Sequence, residues 1–67
     1  MSDLFEPTLA EMVVEAEREL ALRRRVYPRW VEQGKLKPHH AERQIRLMAA
    51  ICAELARRQS AMDEGEA

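Results

Sequence analysis

Two amphipathic segments of this chain are separated by the stretch Val26-Tyr27-Pro28-Arg29-Trp30-Val31-Glu32-Gln33-Gly34-Lys35-Leu36. Proline lacks a backbone N–H and disfavours helical dihedrals in the residue before it, so Tyr27 is predicted to end a helix and Pro28 to open a short turn. Gly34 can adopt the left-handed conformation that closes such a turn. Lys37 and Pro38 then start a second helix. The stretch predicts an all-α antiparallel two-helix hairpin with a short helical corner at residues 28–37.

The chain is short for a protein with one hydrophobic core. At 67 residues, a core rarely supplies more than about 3–5 kcal/mol, and small domains of this size usually need a disulfide, a metal or oligomerisation. Cys52 is the only cysteine, which excludes an intrachain disulfide. Residues 1–67 are therefore expected to form a single domain that gains stability by self-association or by docking on a partner.

Helix one is predicted to run from about residue 8 to about residue 27. Thr8 and Glu11 have the spacing of a capping box, in which each side chain bonds the backbone of the other residue. Glu19 and Arg23 are four apart, which favours an ion pair. The apolar residues recur at alternating four- and three-residue steps, the pattern of a helix lying along another helix: Leu9, Val13, Ala16, Leu20 and Tyr27.

Helix two is predicted to run from about residue 38 to about residue 62, followed by an acidic tail at residues 63–67. It repeats the same spacing through Ala41, Ile45, Met48, Cys52, Leu55, Gln59 and Met62. Ala49, Ala56 and Ile51 widen the apolar arc to about 160°, more than one antiparallel neighbour buries, and Leu47 lies farther round still. This surplus predicts a homodimer in a four-helix arrangement, with a self-association surface made of Leu47, Met48, Ile51, Leu55 and Met62.

Basic residues are concentrated around the predicted corner. Six of the eleven Lys and Arg residues fall between positions 23 and 37, and Glu32 is the one acidic residue among them. Two interpretations stay open: Arg23 to Arg25 cap the end of helix one, or the tip binds an acidic protein surface or the phosphates of a nucleic acid. Trp30 and Tyr27 either close the end of the core or contact the partner. The predicted partner-binding residues are Arg25, Arg29, Trp30, Lys35 and Lys37.

No catalytic, cofactor-binding or metal-binding residues are predicted, and the chain is not expected to be an enzyme. His39 and His40 are adjacent and point about 100° apart on a helix, without the further ligands that zinc requires. Cys52 lies on the apolar stripe and is interpreted as a small buried hydrophobe. The chain also lacks an apolar run of about 18 residues and a basic, apolar leader, so no membrane partner and a cytoplasmic location are expected.

The residues Glu19-Leu20, the stretch from Arg25 to Leu36, and the later Ala41-Glu42-Arg43-Gln44-Ile45 and Met48-Ala49-Ala50-Ile51 resemble a group of short phage and prophage proteins. Those proteins share Val-Tyr-Pro, then Trp or a similar residue, Val, two variable residues, Gly, a basic residue and Leu or Met. An Ala, Ile, Met, Ile helix follows. This chain departs from the group where Lys37-Pro38 stands in place of a Ser- or Thr-like cap. The resemblance covers about half of the chain and implies a phage origin and a bacterial host cytoplasm, without carrying over any functional residue.

These observations together favour a binding protein. The expected function is that of a small phage-encoded accessory or regulatory protein that contacts a host or phage protein, for example to inhibit or modulate a host or defence protein. Two alternatives remain from the same residues. The first is a nucleic-acid accessory protein that uses the basic tip, and the second is a structural module whose only activity is assembly.

Overall fold

The structure of this chain is a computed structural model that describes residues 6–66. It contains helix α1, Leu9–Glu32, and helix α2, Pro38–Glu66, joined by residues 33–37. The described residues form no strand, so they make an all-α helical hairpin, as predicted. Residue 67, the last of the predicted acidic tail, and residues 1–5 of the predicted single domain lie outside the described residues.

Helix α1 begins with the predicted capping box. The backbone N–H of Glu11 donates to Thr8 Oγ1 at 3.1 Å, and the backbone N–H of Thr8 donates to Glu11 Oε1 at 2.9 Å. Thr8 has extended backbone dihedrals and is the N-cap, so the first helical residue is Leu9. The two reciprocal bonds satisfy N–H groups that the first turn of a helix leaves without partners.

The predicted end of helix one is wrong. Helix α1 continues through Pro28 to Glu32, so the corner proposed at residues 28–37 shrinks to a connection at residues 33–37. A proline inside a helix removes one hydrogen bond to the carbonyl four residues before it. Here that carbonyl belongs to Arg24, and both Arg24 and Pro28 are exposed, so water can replace the missing donor.

Gly34 ends helix α1 in the left-handed conformation that was predicted for it. Its φ is 74°, its N–H donates to the carbonyl of Val31 at 3.0 Å, and the N–H of Lys35 donates to the carbonyl of Trp30 at 2.8 Å. This pair of bonds is a Schellman motif, which satisfies two carbonyls that the helix end leaves free. Gly34 therefore terminates helix α1, whereas the sequence predicted that it would end a separate short turn.

Helix α2 begins at Pro38 as predicted, and the N–H of Ala41 donates to the carbonyl of Lys37 at 3.0 Å. Proline suits a first helical position because no N–H partner is available there. The helix runs to Glu66, about one turn beyond the predicted end near Met62. The acidic segment from residue 63 to residue 66 is therefore helical and is not a separate tail.

The two helices pack antiparallel along the predicted apolar stripes. Ala16 of α1 forms a buried cluster with Met48 and Cys52 of α2, and Leu20 and Leu55 pack against this cluster. Nearer the connection, the Nη1 atom of Arg23 donates to the carbonyl of Gln44 at 2.9 Å. Residues later in α1 therefore contact residues earlier in α2, as expected for antiparallel helices. The most buried apolar residues all belong to the predicted stripes: Val13, Ala16, Ala41, Met48 and Cys52.

The hairpin is elongated. Its radius of gyration is 15.5 Å and its principal extents are 48 × 24 × 14 Å, whereas a compact domain of this length has a radius of gyration of about 11 Å. None of the described residues with a large side chain is less than 2% exposed. Two helices side by side have room for only one line of contact, so much apolar surface stays outside it.

Candidate interaction surfaces

Several large apolar side chains stay outside the contact between the helices. Among the described residues, the exposed large apolar side chains, each at least 40% exposed, are Met12, Val14, Leu22, Trp30, Leu47, Ile51 and Met62. Three of the five most buried residues are small, namely Ala16, Ala41 and Cys52. Burial energy grows with the apolar area removed from water. The contact within one hairpin therefore leaves apolar surface whose burial would add stability.

Six of those seven exposed side chains share one side of the hairpin. The direction in which a residue points from its helix axis follows from a rotation of 100° per residue. The three residues of α1 point about 40–120° away from the direction of Ala16, and the three residues of α2 point about 40–100° away from the direction of Met48. Both rotations have the same sense. The two-fold axis that relates two antiparallel helices is perpendicular to the plane that contains both helices. Residues rotated in the same sense therefore point to the same side of that plane. Val14 alone is turned to the outer side of α1. We call this side the apolar face: Met12, Leu22, Trp30, Leu47, Ile51 and Met62.

The apolar face has exposed side chains from both helices near its centre, where Glu15, Arg18 and Glu19 lie beside Leu22. Because Arg23 contacts Gln44, Leu22 of α1 and Leu47 of α2 lie at nearly the same position along the hairpin. Ile51 follows Leu47 by one turn and, with Leu55, lines a shallow groove along the edge of α2. Leu55 itself is half-buried. The face therefore offers a band of apolar contact and not an enclosed pocket.

The residues of the predicted self-association surface differ in their exposure. Leu47, Ile51 and Met62 are exposed, and Leu55 is half-buried. Met48 is only 8% exposed because it packs between the helices against Ala16. Its side chain is already covered within one chain, and the assignment of the other four residues to self-association stays a prediction. The spacing pattern placed Met48 correctly on the apolar stripe. The centre of that stripe faces the other helix of the hairpin, so only its flank is left to contact a second chain.

Ion pairs border the apolar face. Glu54, in the groove beside Ile51, accepts hydrogen bonds from Arg57 and Arg58, the latter at 2.9 Å from Nε. The bond from Arg57 and then that from Arg58 hold the pKa of the Glu54 carboxyl below its ordinary value. All three residues lie within one turn of α2, so the helix itself neutralises this acidic group without help from another chain.

All five predicted tip residues are exposed, but the structure does not bring them all together. Trp30 lies in the last turn of α1, Lys35 in the connection and Lys37 just before α2. Arg29 is also in the last turn, whereas Arg25 lies about two turns before the helix end, on its outer side. Among the ion pairs formed by residues 6–65, none involves these four basic residues. Their charges are available to a partner.

The aromatic pair at this end consists of one half-buried ring and one exposed ring. The rings of Tyr27 and Trp30 stack with their centroids 5.5 Å apart and an angle of 24° between planes. Tyr27 is half-buried and closes the end of the contact between the helices, together with Val31 and Leu36, which are also half-buried. Trp30 remains 42% exposed. One side of the indole is therefore held by Tyr27, and much of the rest faces outward.

The predicted capping role of Arg23 to Arg25 is wrong, because α1 continues to Glu32. Arg23 instead bridges the two helices. It forms the predicted ion pair with Glu19, at 2.9 Å, donates to the carbonyl of Gln44, and lies 5.9 Å from the centroid of the Tyr27 ring. Sequence reasoning missed this contact. The available signal was that Arg23 occupies an apolar position of the helix-one stripe, four residues before an aromatic ring.

Charge is segregated along the hairpin. Residues 23–46, which lie towards the connection, hold eight of the eleven Lys and Arg residues but only two of the twelve Asp and Glu residues. The antiparallel fold brings the start of α1 and the end of α2 together at the other end, where most of the acidic residues lie. We call these the basic half, residues 23–46, and the acidic half. Such a distribution creates a field along the long axis even though the net charge is −1.

The described part of the chain contains no group of metal ligands and no helix that could span a membrane. The imidazole rings of His39 and His40 are close, with centroids 4.2 Å apart, but no group of three or more His, Cys, Asp or Glu side chains in residues 6–65 is arranged to hold a metal ion. Neither helix, over its described length, has a segment both long and apolar enough for a membrane span.

Comparisons of the chain with protein-family models, with curated proteins and with solved structures give no match. The apolar face and the segregated charge are the main surface features of the described residues. Both are surfaces suited to contact with another macromolecule.

Proposed function

We propose that this chain is a small phage-encoded accessory or regulatory protein that acts in the host cytoplasm by binding a host or phage protein and modulating or inhibiting it. The phage origin rests on the resemblance of Val26 to Leu36, and of the helix that follows, to short phage proteins. The mode of action rests on the surfaces of the hairpin. In its active form the chain is a homodimer with a four-helix arrangement.

The observation that carries the proposal is the basic half with its exposed tryptophan. Arg29, Lys35 and Lys37 cluster at the connection without ion-pair partners among residues 6–65, and Trp30 stands beside them with 42% of its surface exposed. Trp and Arg are the residues most often found at the energetic centre of protein interfaces. A clustered positive charge also speeds association with an acidic surface. The partner that fits this tip is a protein with an acidic patch and an apolar recess for the indole.

The dimer rests on a different observation, the apolar face. Two helices alone leave Leu22, Leu47 and Ile51 each more than 40% exposed. Exposed apolar patches of this kind on small soluble domains mark contact sites. A second hairpin covers the centre of such a face in a four-helix arrangement.

The direct test is a pull-down from host lysate with the tagged full chain as bait. The variant is Arg29→Ala with Trp30→Ala, which removes one charge and one aromatic ring from the tip. The matched control is Arg18→Ala with Val14→Ala, which removes one charge and one exposed apolar side chain from the outer side of α1 in the acidic half. Circular dichroism on all three baits establishes that each is helical.

We expect the wild type and the control to capture the same protein, and the tip variant to lose at least about tenfold in affinity, equivalent to about 1.4 kcal/mol. The captured protein should dissociate at raised salt, because the contact pairs opposite charges. Equal capture by the tip variant would contradict the proposal. A loss of capture by the control variant alone would also contradict the proposal, because the contact would then lie in the acidic half.

The same tip supports one alternative, a nucleic-acid accessory protein. Arg29, Lys35 and Lys37 can contact phosphates, and the exposed face of Trp30 can stack on a base. The acidic half weighs against it, because nucleic-acid-binding domains are usually basic overall. A titration with labelled DNA and RNA at several salt concentrations separates the two: a binding constant that falls steeply with salt, and is lost in the tip variant, would favour the alternative. If neither protein nor nucleic acid binds, the chain is a purely structural assembly module.

A further inference from the structure

We propose that the apolar face binds a second copy of the chain with the two hairpins antiparallel, so that the basic half of each lies over the acidic half of the other. The two-fold axis passes near Ile51. This inference rests on the proposed dimer and adds the face and the orientation, which the surplus of apolar surface alone leaves undetermined.

The pattern of apolar residues in α2 is self-complementary about Ile51. Leu47 precedes it by four residues and Leu55 follows it by four, so the three side chains form one line along the helix. When two such helices face each other antiparallel, Ile51 meets Ile51 of the second copy and Leu47 meets Leu55. An interface on a two-fold axis requires this kind of self-complementary patch.

The axis is set by α2, and α1 contributes apolar side chains on both sides of it. Ala16 clusters with Cys52 and Met48, and Arg23 contacts Gln44, so Ile51 lies level with about residues 15–16 of α1. Met12 is then about one turn from the axis on one side, and Leu22 is nearly two turns from it on the other side.

Charge selects this orientation over the parallel one. The basic half holds eight basic and two acidic residues, so parallel hairpins would place two strongly positive ends side by side. Antiparallel hairpins place each positive end over a negative one, and like-charge juxtaposition across an interface costs several kcal/mol. Self-complementary charge is the reason to expect a second copy on this face and not an unrelated protein.

The acidic side chains beside the face are neutralised within their own chain. Glu15 pairs with Arg18, Glu19 with Arg23, and Glu54 with both Arg57 and Arg58. These carboxylates therefore do not oppose the approach of a second copy as unpaired charges would. The side also has room for a second copy, since the principal extents of the hairpin are 48 × 24 × 14 Å.

The test of orientation uses single cysteines in a Cys52→Ala background, which removes the native thiol. One variant carries Ile51→Cys, at the proposed axis, and the other carries Lys37→Cys, at the tip and away from the face. Both are oxidised at a concentration where light scattering shows a dimer, and covalent dimers are measured on non-reducing gels. We expect Ile51→Cys to cross-link at least about tenfold faster than Lys37→Cys, because a disulfide needs Cβ atoms about 4 Å apart.

A spin-label distance on Lys37→Cys provides a second readout that leaves the apolar face intact. At 1.5 Å per residue, antiparallel hairpins centred on Ile51 place the two tips about 40 Å apart, whereas parallel hairpins place them side by side. A dimer with a short tip-to-tip distance, or with faster cross-linking at Lys37→Cys, would overturn the orientation and leave the proposed dimer standing. A background variant that is folded and monomeric would overturn both.

Discussion

The contact between the two helices and the apolar face use apolar residues in opposite ways. The contact buries Ala16, Ala41 and Cys52 with Val13 and Met48, and Leu20 and Leu55 pack against its central cluster. The apolar face, on one side of the same hairpin, leaves three large side chains near its centre exposed: Leu22, Leu47 and Ile51.

This difference indicates what each region is for. Small side chains such as Ala16 and Ala41 at the contact allow two helices to approach closely along one line, which fixes the hairpin. The energy of burial scales with apolar area, so the apolar side chains left exposed on the face are available to add stability. The hairpin is therefore a shape that its own contact defines and that a second copy covering the face would stabilise further. Substitutions in each region distinguish these two roles.

Met48→Ala should have the largest effect, because it removes the biggest side chain of the contact. Truncating a buried methionine costs about 2–5 kcal/mol, comparable with the roughly 3–5 kcal/mol that a core of this size supplies. We expect the variant to be mostly unfolded at room temperature by circular dichroism. The control is Met12→Ala, which shortens the same kind of side chain on the apolar face, where 40% of it is exposed. Similar melting curves for the two variants at low protein concentration would contradict the division into contact and face.

Ile51→Glu should abolish the dimer while leaving the hairpin helical. At the proposed axis, the new carboxylate meets its own copy in a desolvated position, and such a change typically costs about 2–5 kcal/mol. We expect the dissociation constant measured by analytical ultracentrifugation to rise at least about 100-fold. Val14→Glu is the matched control, since Val14 is 65% exposed on the outer side of α1. An unchanged constant for Ile51→Glu, or an equal rise for Val14→Glu, would show that the apolar face is not the interface.

Gly34→Ala should weaken the hairpin itself by about 1 kcal/mol, without any change at the apolar face. A Cβ on Gly34 would meet nothing within 4 Å, so the cost comes from the positive φ of 74°, which alanine adopts at about 1–2 kcal/mol. Gly65→Ala is the control, because that residue is helical and alanine is favoured there. Urea denaturation at a fixed protein concentration measures both. A Gly34→Ala variant as stable as wild type would indicate that the Schellman motif does not hold the connection.

Glu54→Gln should have the smallest effect, and it should depend on pH. The pKa of Glu54 is lowered in the folded chain by hydrogen bonds from Arg57 and Arg58, so its contribution is present above the pKa of the unfolded chain and is lost as pH falls through the folded value. The carboxylate is exposed, so the change in melting temperature should be slight. We expect wild type to exceed Glu54→Gln slightly at neutral pH and to match it in acid. A difference that grows in acid would contradict this sign.

Much of the fold could be predicted from the sequence because its signals are local. The four- and three-residue spacing alone places Val13, Ala16, Ala41, Met48 and Cys52 on the stripes that the helices bury, since helical periodicity decides which residues share a line. The cap at Thr8 and the left-handed Gly34 follow from the chemistry of single residues.

The end of α1 could not be predicted from the sequence, because a local cost competes there with a gain that depends on tertiary contacts. Pro28 loses one hydrogen bond, which favours ending the helix at Tyr27. Continuing it half-buries Val31, lets Trp30 stack on Tyr27, and brings Gly34 to the position of a helix cap. The bond from Arg23 to Gln44 was missed for the same reason, because it joins residues whose proximity appears only after folding.

Light scattering over a dilution series gives the mass of the wild-type chain in solution, and this mass decides whether a second copy covers the apolar face. We predict a dimer of about twice 7.8 kDa that dissociates on dilution, with the melting temperature falling as the protein is diluted. A monomer at every concentration, with a high melting temperature that dilution does not change, would contradict this prediction.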